Sequence, residues 1–191
     1  MKTLVLFDFD GTLTRRDSLW DFIRFVVGTP RFVLGLIIIL PTLVMMLCKI
    51  ISASRAKQTV LRHYFKHQSR TQLQIAGERY AQRIPTLLRA GALAKIQAHQ
   101  EQKHRVVLVS ASLDIWLSAW AKQMNIELIC TQAAYDAQDC FSGFASPNCH
   151  GAEKTNRIHA FMNVQHYNTI IAYGDSSGDK QMLALADKPH Y

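Results

Sequence analysis

The 191-residue sequence predicts an α/β fold: a parallel sheet with helices on its faces, and a helical cap inserted behind the first strand. Three observations carry this. Short apolar runs rich in strand formers alternate with helical patterns, which indicates a parallel sheet rather than an antiparallel one. Each run ends beside small or polar residues. Between Arg15 and Gln100 the pattern changes, with apolar residues at intervals of three or four and almost no strand signal. The expected division is a core of residues 1–14 and 100–191 and a cap of residues 15–99.

Taken in order, Leu4 to Phe7 is an apolar run stopped by the polar, glycine-containing stretch DFDGT, and it reads as a buried strand ending in a loop. Arg105 to Val109, Ile126 to Thr131 and Thr169 to Tyr173 repeat that form. Helical patterns follow at Leu113 to Met124, Glu153 to Phe161 and Gly178 to Ala186. The ligand site of such a sheet lies beyond the carboxyl ends of its strands. Asp8, Ser110 and Asp175 all fall there.

In the cap, SRAKQTVLRHYFKH and TQLQIAGERYAQRIPTLL have helical periodicity. Phe32 to Cys48 is an uncharged run bracketed by Arg31 and Lys49, on the border between a core helix and a membrane span. Pro41 near its middle is expected to kink or split a helix. A true span would put a bilayer between the first acidic loop and the rest of the sheet. The favoured reading is an interfacial hairpin bent at Pro41, with basic residues toward lipid headgroups. The competing reading is a helix pair buried in the cap core or in a homo-oligomer interface.

Composition bounds the function. With 49% hydrophobic residues the chain can bury about 70% of its unfolded surface, which excludes disorder, collagen and small disulfide scaffolds. The net charge of +8 is uneven: residues 15–95 hold fourteen Lys or Arg against three acids, and the remainder holds eight against eleven. Such a basic segment favours anionic partners: phosphate esters, lipid headgroups or nucleic acid. Cys48, Cys130, Cys140 and Cys149 form no CxxC pair and no zinc spacing, and read as free thiols in a reducing compartment. The short apolar N-terminus meets acids at Asp8 and Asp10 and makes a poor signal peptide, so the expected location is cytoplasmic, peripheral at most to the inner face of a membrane.

The strongest chemical signal is D8-F9-D10-G11-T12-L13. Alternate residues of an extended segment point the same way, so Asp8 and Asp10 can converge, and Gly11 allows a sharp turn. Two carboxylates at the end of a buried strand suit a hard cation such as Mg²⁺, and one of them can serve as a nucleophile. A second acidic cluster, G174-D175-S176-S177-G178-D179, either caps a helix or adds Asp175 and Asp179 to a metal site. Ser110 is expected to hold a phosphoryl oxygen and Ser112 to cap the following helix. Lys154, opening a helix after a glycine-containing stretch, supplies a cation to offset the carboxylates and a phosphate.

These motifs, DFDGT, VLVSAS, GAEK and YGDSSGD in this order and spacing, resemble the haloacid dehalogenase superfamily of phosphohydrolases. They resemble in particular the subgroup with a helical cap after the first motif, which includes phosphoserine phosphatases and lipid phosphatases of the phosphatidylglycerophosphatase C type. The resemblance covers about residues 1–14 and 100–187 and only loosely the cap. It implies a Rossmann-like core and an Mg²⁺-dependent phosphomonoester hydrolase. Asp8 would be the nucleophile that forms an aspartyl-phosphate, and Asp10 the acid and base. The backbone carbonyl of Asp10 would join Asp8 and Asp175 around the metal, with Asp179 supporting that shell. Ser110 and Lys154 would hold phosphoryl oxygens, and Thr12 would fix the first loop.

Substrate choice is expected to lie in the cap. Phosphoserine phosphatases place a glutamate nine positions after the nucleophile; here Asp17 stands there, beside Arg15 and Arg16, and no cap arginine for the serine carboxylate stands out. The apolar run favours a phosphorylated lipid, and a soluble small phosphomonoester is the alternative. A nucleic-acid binder using Arg62, His63, Lys66, His67 and Arg70 lacks a motif, and the acidic clusters oppose it. His63 and His67 read as surface residues, His150 as a neighbour of the pocket, and Trp20, Trp116 and Trp120 as packing residues.

Overall fold

The computed structural model describes residues 2–191. Five parallel strands form the sheet: β1 (Thr3–Phe7), β2 (Arg105–Leu113), β3 (Glu127–Thr131), β6 (Thr169–Tyr173) and β7 (Lys188–His190), in the order β3-β2-β1-β6-β7. β1 is central because its LVLF run is apolar on both faces, as a strand covered on both sides requires. The four strands read from the sequence are all present; β7 is an exposed edge strand without an apolar signature. β2 runs past Val109 to Leu113, and its register against β3 breaks between Ser110 and Leu113. That irregularity re-aims Ser110 and Ser112, as bulges beside functional sites do.

The cap holds α1 (Ser18–Val27), α2 (Thr29–Leu47), α3 (Ala53–Phe65) and α4 (Arg70–Ala81), followed by α5 (Ala92–Glu101). The core adds α6 (Asp114–Gln123), α7 (Ala152–Phe161) and α8 (Lys180–Ala184). A short antiparallel pair, β4 (Ala133–Tyr135) and β5 (Phe141–Phe144), was not legible as strands. It reaches the cap: the Phe141 amide donates to Gln68 O at 3.0 Å, the Arg70 amide to Asp139 O at 2.9 Å, and Phe65 meets Phe141 edge-on. The two chain segments joining cap to core are also paired, Arg15 N to Leu87 O at 2.9 Å and Arg89 N to Leu13 O at 2.8 Å.

One face of the sheet and the cap share a single apolar core, in which Phe9, Phe22, Phe65, Tyr80, Trp116 and Trp120 are all buried. The other face packs against α7 and α8. Close approach of α4 to α6 depends on Gly77, where a Cβ would lie 1.9 Å from Ile115 O.

α2 departs from expectation. It is one continuous helix through Pro41, neither split nor folded into a hairpin. Pro41 is exposed, so the Ile37 carbonyl that loses its helical donor sits on a solvent-facing stretch. Nor is α2 a buried helix pair. Phe32, Leu36, Ile39 and Leu43 pack against the cap, Gly35 rests on the Tyr64 ring, and the Tyr64 hydroxyl donates to Phe32 O at 2.7 Å. The opposite face is open. α2 is long and apolar enough to cross a membrane, and only 11% of it is buried.

Candidate active site

The site forms where β1, β2 and β6 end. Asp8 follows β1 directly, and its amide donates to Tyr173 O at 2.9 Å, so the sheet itself fixes this residue. Gly11 then turns with φ +86°, and a Cβ there would lie 2.1 Å from Asp175 Oδ2. Only glycine admits the first loop this close to the second acidic loop. Thr12 ties the two together: its hydroxyl lies 3.1 Å from both Asp8 Oδ2 and Asp175 Oδ1.

Asp8, Asp175 and Asp179 each present a carboxylate oxygen within 4.8 Å of the others. Among the described residues this is the one group placed to hold a metal ion. Lys154, at the start of α7, is buried against it. Its Nζ donates to Asp8 Oδ1 at 2.5 Å, Asp179 Oδ1 at 2.5 Å and Val109 O at 2.8 Å, which uses all three of its protons. Asp179 also accepts from the Ser176 hydroxyl at 2.6 Å and the Ser176 amide at 3.1 Å.

Electrostatics follow from burial and this pairing. Burial lifts Asp8 to about 7, against the pull of Lys154 and with the help of Asp179 and Asp10. Burial alone would raise Asp179 too, but the Lys154 ammonium and the Ser176 donors hold it below the usual carboxylate range. Burial would lower Lys154, and the two carboxylates overcome it and hold the ammonium charged. The cluster is two positive charges short, since Asp8, Asp175 and Asp179 face a single lysine. That deficit is the physical reason a divalent cation fits.

Asp10 points elsewhere. Its carboxylate accepts from the Ser18 amide at 2.6 Å and the Ser112 hydroxyl at 2.5 Å, apart from the three clustered carboxylates. Ser112 therefore does not cap α6, whose first residues have no side-chain cap. The β2 irregularity turns its hydroxyl inward instead, into a chain from Trp116 Nε1 to Ser18 Oγ (3.0 Å), to Ser112 Oγ (3.2 Å), to Asp10. Ser110 is buried and its Oγ accepts from the Ser112 amide at 3.0 Å, leaving its proton free to donate into the pocket.

The pocket has a volume of about 640 Å³ and is walled by both core and cap. Asp8, Asp10, Ser110, Lys154 and Asp179 form its floor, Ser52 to Ser54 and Lys57 its cap side, and Pro147, Asn148 and His150 its rim. Asp17 lines it too while capping α1, accepting from the Leu19 amide at 2.8 Å. No ion pair joins Asp17 to Arg15 or Arg16 among the described residues. Burial, then the neighbouring Asp10, raises its pKa. Lys57, on α3, was missed: in sequence it is one of many cap lysines and arginines. Its Nζ donates to Ala111 O at 2.9 Å, and burial lowers its pKa against the pull of Asp10 and Asp17.

Comparison with known proteins agrees with this geometry. The family model for haloacid dehalogenase-like hydrolases matches residues 5–184. Protein CicA of Caulobacter vibrioides is 30% identical, across 98% of this chain and 85% of its own. Among solved structures, a protein of unknown function from Bordetella pertussis Tohama I superposes with a TM-score of 0.81 at 18% identity, covering 97% of this chain and 87% of that one. A phosphoserine phosphohydrolase-like protein from Francisella tularensis gives 0.66 at 19% identity (98% and 84%). A substrate-bound phosphoserine phosphatase gives 0.68 at 15% identity (97% and 83%). These three establish likeness of fold. With the family model running from β1 through the cap and both acidic loops to α8, the chain belongs to the haloacid dehalogenase-like hydrolases.

Proposed function

We propose that the chain hydrolyses a phosphomonoester in two steps, with residues 1–14 and 100–191 as catalytic core and residues 15–99 as cap. The observation that carries this is the placement of Asp8 Oδ1 on Lys154 Nζ at the floor of a pocket bounded by Ser110. Asp8 attacks phosphorus and becomes an aspartyl-phosphate while the ester oxygen leaves. Asp10, held by Ser18 and Ser112 away from the carboxylate cluster, gives the leaving oxygen its proton. It then takes a proton from the water that attacks the aspartyl-phosphate, which releases phosphate and restores Asp8.

Asp8, Asp175 and the Asp10 carbonyl would hold Mg²⁺, with Asp179 supporting them. The ion, when bound, supplies positive charge beside the phosphoryl oxygens. Ser110 donates its hydroxyl proton to one phosphoryl oxygen. Lys154 takes part by exchanging one of its three present acceptors for another. Thr12 holds the two acidic loops together. Alignment and charge stabilisation then do most of the catalysis, as phosphoryl transfer requires.

For the substrate, the charged and hydroxyl side chains lining the pocket favour a small phosphorylated metabolite of the kind phosphoserine phosphatases take. Lys57 can receive an anionic group and Asp17 a cationic one. One observation supports a second reading, a lipid phosphate reached from the inner face of a membrane through residues 32–48: the pocket wall at Ser52 to Ser54 follows closely on exposed apolar Leu47 and Ile50. The test is Mg²⁺-dependent phosphate release from phosphoserine and other soluble monoesters, against phosphatidylglycerophosphate in mixed micelles, with Asp8→Asn as control. Phosphatase turnover that survives Asp8→Asn would sink the mechanism, and preference for the micellar substrate would select the second reading.

A further inference from the structure

We infer that the open face of α2 is a docking surface for an anionic lipid bilayer, on which the helix lies flat with the pocket rim beside the headgroups. This goes beyond the hydrolytic reading and holds whichever ester is cleaved.

Three observations combine. The face presents Val33, Leu34, Ile37, Ile38, Leu40, Val44, Met45 and Leu47, each between 39% and 75% exposed, with Ile50 just beyond the helix. Soluble monomers seldom leave so continuous an apolar stretch uncovered. The other side of α2 is committed to the fold through Phe32, Gly35, Leu36, Ile39 and Leu43, so the helix has one anchored face and one free one.

Charge selects the occupant. From Phe22 to Gly77 the sequence contains no acidic residue, while Arg24, Arg31, Lys49, Arg55, Lys57, Arg62, Lys66 and Arg70 all lie within it. Arg31 and Lys49 flank the apolar face, and Arg24 and Arg55 stand exposed close by in sequence. A second copy packed on this face would bring basic flank against basic flank, with no acid in the segment to pair them. An anionic lipid surface instead meets the apolar residues with acyl chains and the basic ones with headgroups.

Topology selects the orientation. α2 has the length to span, but a spanning α2 would have to leave its packing on α1 and α3. It would also place a bilayer between β1 and its partners β2 and β6, which pair with it in one sheet. Lying in the interface costs none of these contacts. Ser52, Ala53 and Ser54, which wall the pocket, follow the end of α2 after only four residues, so docking brings the mouth close to headgroup depth.

The test is co-flotation of the full chain with vesicles of equal phosphatidylglycerol and phosphatidylcholine, and with phosphatidylcholine alone, at low and high salt. Binding is expected on the anionic vesicles and is expected to weaken with salt as the Debye length falls from about 10 to 3 Å. The double variant Ile37→Glu/Ile38→Glu should reduce the bound fraction at least about tenfold, since two exposed apolar side chains of the docking face become charges in the interface. Its melting temperature and its turnover of a soluble ester should stay as in the parent, because both positions face away from the fold and the site. Arg31→Glu/Lys49→Glu should erase the preference for anionic vesicles. Absence of binding to either vesicle, or binding unchanged by the α2 variants, would overturn the inference. A dimer that the Ile37→Glu/Ile38→Glu variant dissociates, with no vesicle binding, would assign the face to a second copy and overturn it too. Soluble-ester turnover measured in the same preparations reports on the hydrolytic reading separately.

Discussion

Ser112→Ala tests how the structure holds its acid–base group. The Asp10 carboxylate has two anchors, the Ser18 amide at 2.6 Å and the Ser112 hydroxyl at 2.5 Å. A hydrogen bond to a charged group contributes about 1.5–3 kcal/mol. At about 1.4 kcal/mol per tenfold in rate, complete loss would slow turnover roughly 10- to 150-fold. Because the Ser18 amide still holds one oxygen, the effect should fall near the lower end, a kcat lower by about 10- to 30-fold. Ser18 Oγ keeps its bond from Trp116 Nε1, so the surrounding packing stays in place and the melting temperature should move little. Ser112 lies behind Asp10 rather than on the pocket wall, so KM should stay within about twofold. The assay is steady-state release of phosphate from a soluble monoester at saturating Mg²⁺, with Ser110→Ala in parallel, where KM and kcat should both suffer. A Ser112→Ala protein with kcat within about twofold of the parent would refute the reasoning that this hydroxyl positions the acid.

Lys154→Met leaves Asp8 and Asp179 facing each other without a cation, which should cost about 3–5 kcal/mol in chemical denaturation and be partly recovered by Mg²⁺; equal stability in the absence of metal would contradict the pairing. Because burial raises Asp8 to about 7, turnover at limiting Mg²⁺ should fall as pH drops below that value, and the midpoint should move to lower pH as Mg²⁺ is raised. Gly77→Ala forces a methyl group into the Ile115 carbonyl 1.9 Å away and should lower stability by at least about 2 kcal/mol through separation of α4 from α6, read by thermal melting. Asp21 accepts from Arg83 Nε at 2.7 Å and from the Tyr80 hydroxyl at 3.0 Å, and these bonds hold it below the usual carboxylate range. Its stabilisation, about 0.5–1 kcal/mol at a half-exposed pair, is present above pH about 4 and lost as pH falls through the lowered value. The stability gap between Asp21→Asn and the parent should close over that interval.

What could be read in the sequence was what local pattern determines. The apolar run before Asp8 forms a strand in any parallel sheet, and DFDGT is confined to its end by Gly11. The acidic loop after β6 met the first loop as expected because both follow neighbouring strands. Lys57 was hidden because its approach to Ala111 O depends on how α3 sits over β2, a distance of 54 residues that no local pattern encodes. The sequence neighbours of Ser112 start a helix and predict a cap there, whereas a register shift in β2 turns its hydroxyl toward Asp10. Pro41 misled in the same way: its helix-breaking tendency was outweighed by the packing of Phe32, Gly35, Leu36 and Ile39, with the lost bond on the solvent side. The β4–β5 hairpin, three and four residues long, is too short to leave an alternating signature.

The cap is fastened along the paired linkers at Leu13 to Arg15 and Leu87 to Arg89, through α4 packed on α6, and again where β5 binds the turn between α3 and α4. A door hung on one hinge can swing; a panel secured at hinge and latch can only flex between them. With the cap so held, the spacing between Ser52 to Ser54 and Pro147 to His150, the cap and core segments that line the pocket, is expected to set the size of the molecule admitted.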